Sequence, residues 1–76
     1  HEKGEAIDIQ FPGLKPKEYL PIAKWITENT AFDQLIFEHG NSIWLHISSK
    51  RNGVNRGRTM TMLKGKYELG IKCYYS

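Results

Sequence analysis

Two imidazoles and one carboxylate, on His1, Asp8 and His46, are the groups in this chain best suited to chemistry. Together they offer two nitrogen donors and one oxygen donor, enough to hold a zinc ion with a fourth position left open. Catalytic zinc uses that arrangement: three protein ligands plus a water or substrate. His1 and Asp8 cannot reach one ion across a straight chain, because seven extended residues would span roughly 23 Å. The chain between them must fold back, and Gly4 is where it can do so at low conformational cost.

The alternation around these residues says more than their number. In Ala6-Ile7-Asp8-Ile9-Gln10-Phe11, Ile7, Ile9 and Phe11 point one way and Ala6, Asp8 and Gln10 the other. In Ile43-Trp44-Leu45-His46-Ile47-Ser48, the apolar face is Ile43, Leu45 and Ile47, and the other face is Trp44, His46 and Ser48. In Gln34-Leu35-Ile36-Phe37-Glu38, Leu35 and Phe37 oppose Gln34, Ile36 and Glu38. All of these strands are expected to give one face to a core and to carry titratable groups on the other.

Hydrolysis at a metal also needs a proton acceptor. Glu38, at the end of its strand, is the nearest acid with the right parity, whereas Asp33 lies at the far strand start and Glu2 and Glu5 beside His1. Glu38 and His46 share a face only if opposed residue numbers sum to an even value. That requires an odd-numbered loop, such as His39-Gly40-Asn41, or a bulge. Gln34 and Trp44 are candidate substrate contacts, and His39 is a third candidate and the next base in line. Each also has a plainer reading. Gln34 bonds within the sheet, Trp44 packs as an aromatic, His39 turns the chain and His46 is a hydrogen-bonded strand residue. Trp25 is expected in the core, and the arginines of the Ser49–Gly57 region and Arg58 on a solvated rim.

The blocks His1-x-x-Gly4-x-Ala6-x-Asp8, Phe32-Asp33-Gln34-Leu35-Ile36-x-Glu38 and Trp44-Leu45-His46-Ile47-Ser48 resemble the zinc D-Ala-D-Ala carboxypeptidase family, which includes many bacteriophage cell-wall endopeptidases. Asn55-Arg56-Gly57-Arg58 also resembles a segment that follows the last ligand there. The resemblance runs from His1 to about Met62. It implies zinc ligands at His1, Asp8 and His46 and a peptidoglycan stem peptide as substrate. It also implies action at the bacterial cell wall or periplasm, and a place in a phage endolysin or among phage tail proteins. This sequence departs from the family at Ile43, where many members place an acid three residues before the final histidine. Glu38 is the substitute, and some branches end that strand in Glu. The family's upstream helices, its Ser before the first ligand and its substrate-binding Arg have no counterpart here. The chain is accordingly expected to be the C-terminal part of a larger domain.

The elements that must position these groups follow from pattern and punctuation. Glu5 to Phe11 reads as a strand, and Pro12-Gly13 as a turn. A helix is expected from about Lys17 to Asn29, opening near Pro16, with Tyr19, Ile22, Ala23 and Ile26 on one face. A hairpin of Asp33–Glu38 and Ile43–Ser48 follows, then a polar loop. A second hairpin, Thr59–Leu63 with Tyr67–Tyr75, turns at Lys64-Gly65-Lys66, and Gly70 marks a possible bulge. The expected fold class is α+β: one helix packed on a small antiparallel sheet. Ile7, Ile9, Leu35, Phe37, Leu45 and Ile47 should face the helix.

Composition sets outer bounds. The chain has 76 residues, 39% hydrophobic and 25% charged, which suits one small globular domain. A single cysteine excludes an internal disulfide and fits a reducing compartment or a virion. A net charge of +3 suits anionic partners such as cell wall or nucleic acid. The rival to the hydrolase is a non-catalytic module. One form is a binding domain of a phage tail. The other is a basic nucleic-acid binder using Lys50, Arg51, Arg56 and Arg58, with Tyr67, Tyr74 and Tyr75 for stacking.

Overall fold

A computed structural model describes residues 4–40, 42–50 and 53–74. The chain forms strand β1 (Glu5–Ile9), a 3-10 turn (Pro16–Glu18), helix α1 (Tyr19–Asn29), β2 (Gln34–His39), β3 (Ile43–Ser49), β4 (Arg58–Leu63) and β5 (Lys66–Leu69). The strands make one sheet in the order β1-β3-β2-β4-β5, with α1 on one face.

Local chemistry explains the boundaries. After β1, Pro12 and Gly13 reverse the chain: Leu14 N–H donates to the Phe11 carbonyl, and Gly13 takes the positive φ that a type II turn requires. Pro16 opens the 3-10 turn, where a missing N–H costs little, and the Lys15 N–H donates to the Glu18 carboxylate at 2.7 Å. Pro21 falls in the first turn of α1, where N–H groups have no intrahelical acceptor, so the helix runs through it. The helix stops at Thr30, whose extended backbone still donates its N–H to the Ile26 carbonyl.

Tyr19, Ala23 and Ile26 are buried on the inner side of α1 against Phe32, Leu35, Phe37 and Leu45. Phe37 and Leu45 are fully buried, and each such side chain contributes roughly 1.5–3 kcal/mol. Tyr19 stacks on Phe37 with ring centroids 5.6 Å apart. Its hydroxyl accepts the Phe11 N–H at 2.8 Å and lies 3.4 Å from the Ile43 carbonyl oxygen, tying the β1 exit and β3 to the helix.

The β2–β3 hairpin pairs Ile36 with His46 and His39 with Ile43, so opposed numbers sum to an even value and 40–42 connects the strands. The odd loop keeps Leu35 and Phe37 on the helix side and His46 on the open side, as the alternation demanded.

The structure corrects the sequence-based expectation in several places. The sheet is mixed rather than antiparallel, because β4 pairs with β2 in parallel. The 50–57 loop carries the chain from the end of β3 past the start of β2, and side-chain alternation does not encode that crossing. Asp33 fastens the loop. Arg56 donates to both Asp33 carboxylate oxygens, through Nε at 3.0 Å and Nη2 at 2.9 Å. The Arg56 N–H adds a third bond at 3.1 Å. Arg56 is therefore a structural partner and not a free rim residue. Ile7 lies on the helix side of the sheet, opposite Ile47, but the helix does not cover it: β1 is an edge strand, and Ile7 is 58% exposed. Ile9 and Ile47 are half-buried. Trp25 is 60% exposed on the outer side of α1, not in the core.

Strand β5 ends at Leu69, before the expected Tyr75. Gly70, with φ of 87°, turns the chain out of the sheet rather than forming a bulge. The buried Thr61 hydroxyl bridges this exit, donating to the Gly70 carbonyl and accepting the Lys72 N–H, both at 2.8 Å. Gly4 is needed for space and not for a left-handed backbone. A Cβ there would lie 2.6 Å from the Ser49 carbonyl oxygen. Among the described residues no helix is long and apolar enough to cross a membrane.

Asp33 is 6% exposed, and the Arg56 guanidinium bonded to it holds its pKa at about 2, against an ordinary 3.8. A lowered folded pKa stabilises the fold fully above pH 3.8, and that contribution is lost as pH falls towards 2. Asp33→Asn is expected to lower Tm by on the order of 10 °C at neutral pH and to flatten the loss of Tm in that acid window. Calorimetry across pH checks both. An unchanged Tm would mean that the loop is held without Asp33.

Candidate metal centre

The open face of the sheet collects the titratable groups. Asp8 on β1 lies directly opposite His46 on β3, and His46 lies opposite Ile36 on β2. Glu38, two residues beyond Ile36, is the diagonal neighbour of His46 on that face. His46 Nδ1–H donates to Asp8 Oδ1 at 2.7 Å. One donor atom each from Asp8, Glu38 and His46 lie within 4.8 Å of one another. The His46 side chain is 30% exposed and that of Asp8 63%, so the cluster stays open to solvent.

Imidazole nitrogens and carboxylate oxygens are donors that zinc accepts. Two donors on one tetrahedral zinc stand about 3.4 Å apart. Asp8 and His46, at 2.7 Å, must part slightly to admit an ion. Both are surface side chains, so the movement needs rotamer changes and no shift of the sheet. Asp8 and His46 could therefore both reach one zinc ion, with the Glu38 carboxylate close beside it. His1, the expected third ligand, lies outside the described residues. The face that Glu38 shares with His46 follows from the even parity of the hairpin, whereas the pairing of β1 with β3 that sets Asp8 opposite His46 is seen only in the structure. The nearness of Glu38 goes further, since its carboxylate falls within ligand range.

No family model, curated protein or solved structure matches this chain.

The remaining candidates divide between the two faces. Trp44 is half-buried on the open face, opposite Glu38. Gln34 is on the same face, opposite Ser48, and lines a cleft with Ile36, Arg58, Met60 and Tyr67. His39 is elsewhere, which corrects its assignment as a substrate contact. It is 1% exposed on the helix face, its ring 4.3 Å from that of Phe37 and 5.9 Å from that of Tyr74. Burial pushes its imidazole pKa down. The reason is parity: His39 continues the paired strand, so it follows Leu35 and Phe37 inward.

Of the cations considered for nucleic acid, Arg56 is spent on Asp33, and the Lys50 ammonium stands 4.0 Å from that same carboxylate. Arg51 lies outside the described residues. The cleft was not legible in the sequence because it forms only where β4 lies beside β2, a pairing that alternation does not encode. Thr61 is 1% exposed, and Met60 and Met62 take the open face.

Proposed function

We propose that this chain is a zinc-dependent peptidase domain that hydrolyses an amide bond in peptidoglycan stem peptides. The observation that carries the reading is the convergence of Asp8, His46 and Glu38 on the uncovered face of the sheet. The resemblance of the surrounding blocks to the zinc D-Ala-D-Ala carboxypeptidase family supplies the substrate class. The reading places the site of action in the bacterial cell wall, reached as a phage endolysin or with phage tail proteins.

Zinc, when bound, supplies Lewis acidity towards the scissile carbonyl. Asp8 and His46 would hold it, with His1 as the further ligand that the resemblance implies. Glu38 takes a proton from the attacking water as the new C–O bond forms. It returns that proton to the amine as the C–N bond breaks. The open face admits an extended peptide, and Trp44 flanks Glu38 as a wall.

The test is hydrolysis of L-Ala-γ-D-Glu-L-Lys-D-Ala-D-Ala by the chain with one equivalent of zinc, followed by mass spectrometry. Cleavage that a chelator stops and added zinc restores is the expected result. Absence of cleavage at every zinc level would contradict it.

A further inference from the structure

The open face changes character beyond the metal cluster. Past Ile36, β4 contributes Arg58, Met60 and Met62, and β5 contributes Tyr67 and Leu69. Tyr67 is 59% and Leu69 71% exposed. A cleft of about 410 Å³ opens here, lined by Gln34, Ile36, Arg58, Met60 and Tyr67. Ile36 separates it from the cluster, because it pairs with His46 on one side and Met60 on the other. Arg58 pairs with Gln34, two residues back along the same strands. At a strand spacing of about 4.8 Å, its Cα stands roughly 12 Å from that of His46, about three residues of extended peptide.

The lining has a definite chemistry. Ile36 and Met60 make an apolar floor, and Tyr67 adds a ring and a hydroxyl. Gln34 offers an amide. Arg58 offers a planar fork of donors that matches a carboxylate and stays charged at any working pH. Arg56 and Lys50 turn instead to Asp33, and no carboxylate among the described residues is paired with Arg58.

We propose that this cleft is a subsite for a carboxylate-bearing residue of the substrate, read by Arg58 beside the metal cluster. The identity of the peptide rests on the peptidase reading, whereas the charge preference of the cleft does not. A stem peptide offers two carboxylates, the α-carboxylate of its γ-linked D-Glu and its C-terminus.

The experiment compares L-Ala-γ-D-Glu-L-Lys-D-Ala-D-Ala with its D-isoglutamine form and its C-terminal amide. The wild-type chain should lose at least about tenfold in kcat/KM on one of the two neutralised peptides, the usual worth of a charged hydrogen bond. Which peptide suffers identifies the carboxylate. Arg58→Gln should abolish the preference, and Arg58→Lys should keep only part of it. A preference unchanged in Arg58→Gln, or absent in the wild type, would overturn the subsite while leaving the peptidase intact. If no peptide is cleaved, binding to the zinc-free chain decides by NMR. Shifts of the Tyr67 and Met60 side chains with the parent peptide, lost with one neutralised form, uphold the subsite though the peptidase reading fails. No shift with any peptide overturns it.

Discussion

Glu38→Gln is expected to retain zinc and to lower stem-peptide hydrolysis by at least about 100-fold, the usual scale for a general base. Glutamine matches the size of Glu38 and keeps an oxygen donor, but it cannot take up a proton at neutral pH. Asp8, the other carboxylate of the cluster, is bonded to His46 and is occupied as a ligand in this account. Asp33 is held by Arg56. Ile43, where many members of the resembled family carry an acid, is a half-buried aliphatic residue packed against the core. Among the described residues Glu38 is the other carboxylate beside His46, on a strand whose neighbours fix its position. Steady-state kinetics and metal analysis on the same sample check the claim. Near-normal turnover would remove Glu38 from catalysis, and loss of zinc would make it a ligand.

His46→Ala is expected to abolish stoichiometric zinc binding. Loss of an outer partner of a ligand already costs 10–100-fold in affinity, and loss of the central imidazole should cost more. His46 sits between Asp8 and Glu38, so its removal leaves the two carboxylates without a nitrogen donor between them. The fold should survive, since the side chain is on the open face and outside the buried core. Circular dichroism and Tm verify that. A free amine at His1 can itself bind metal, so calorimetric titration is made on the chain with its amino terminus acetylated. Unchanged zinc affinity would place the site elsewhere.

The face shared by Asp8, His46 and Glu38 was legible in the sequence because alternation has a period of two, and one residue of slip would have put His46 in the core. Even parity across the β2–β3 loop was likewise readable from Leu35, Phe37 and Glu38. Strand order was not. Nothing in Arg58–Leu63 says that it lies beside β2 in parallel; Asp33 gripping Arg56 accompanies that pairing, a long-range contact that no local pattern reveals. The same gap hid the cleft, which exists only once β4 is beside β2. Ile7 and Trp25 are exposed rather than covered for a related reason. Apolar character marks a residue as buriable, but the reach of one eleven-residue helix decides which apolar residues are covered.

The most direct test of the metal centre watches His46 itself. Long-range proton–nitrogen NMR resolves the two imidazole nitrogens as zinc is added to the zinc-free chain. One equivalent of zinc is expected to shift the His46 ring nitrogens and to break the Nδ1–H bond to Asp8, with saturation at one ion per chain. His46 nitrogens that do not move while zinc binds, or that move only at large excess, would contradict it.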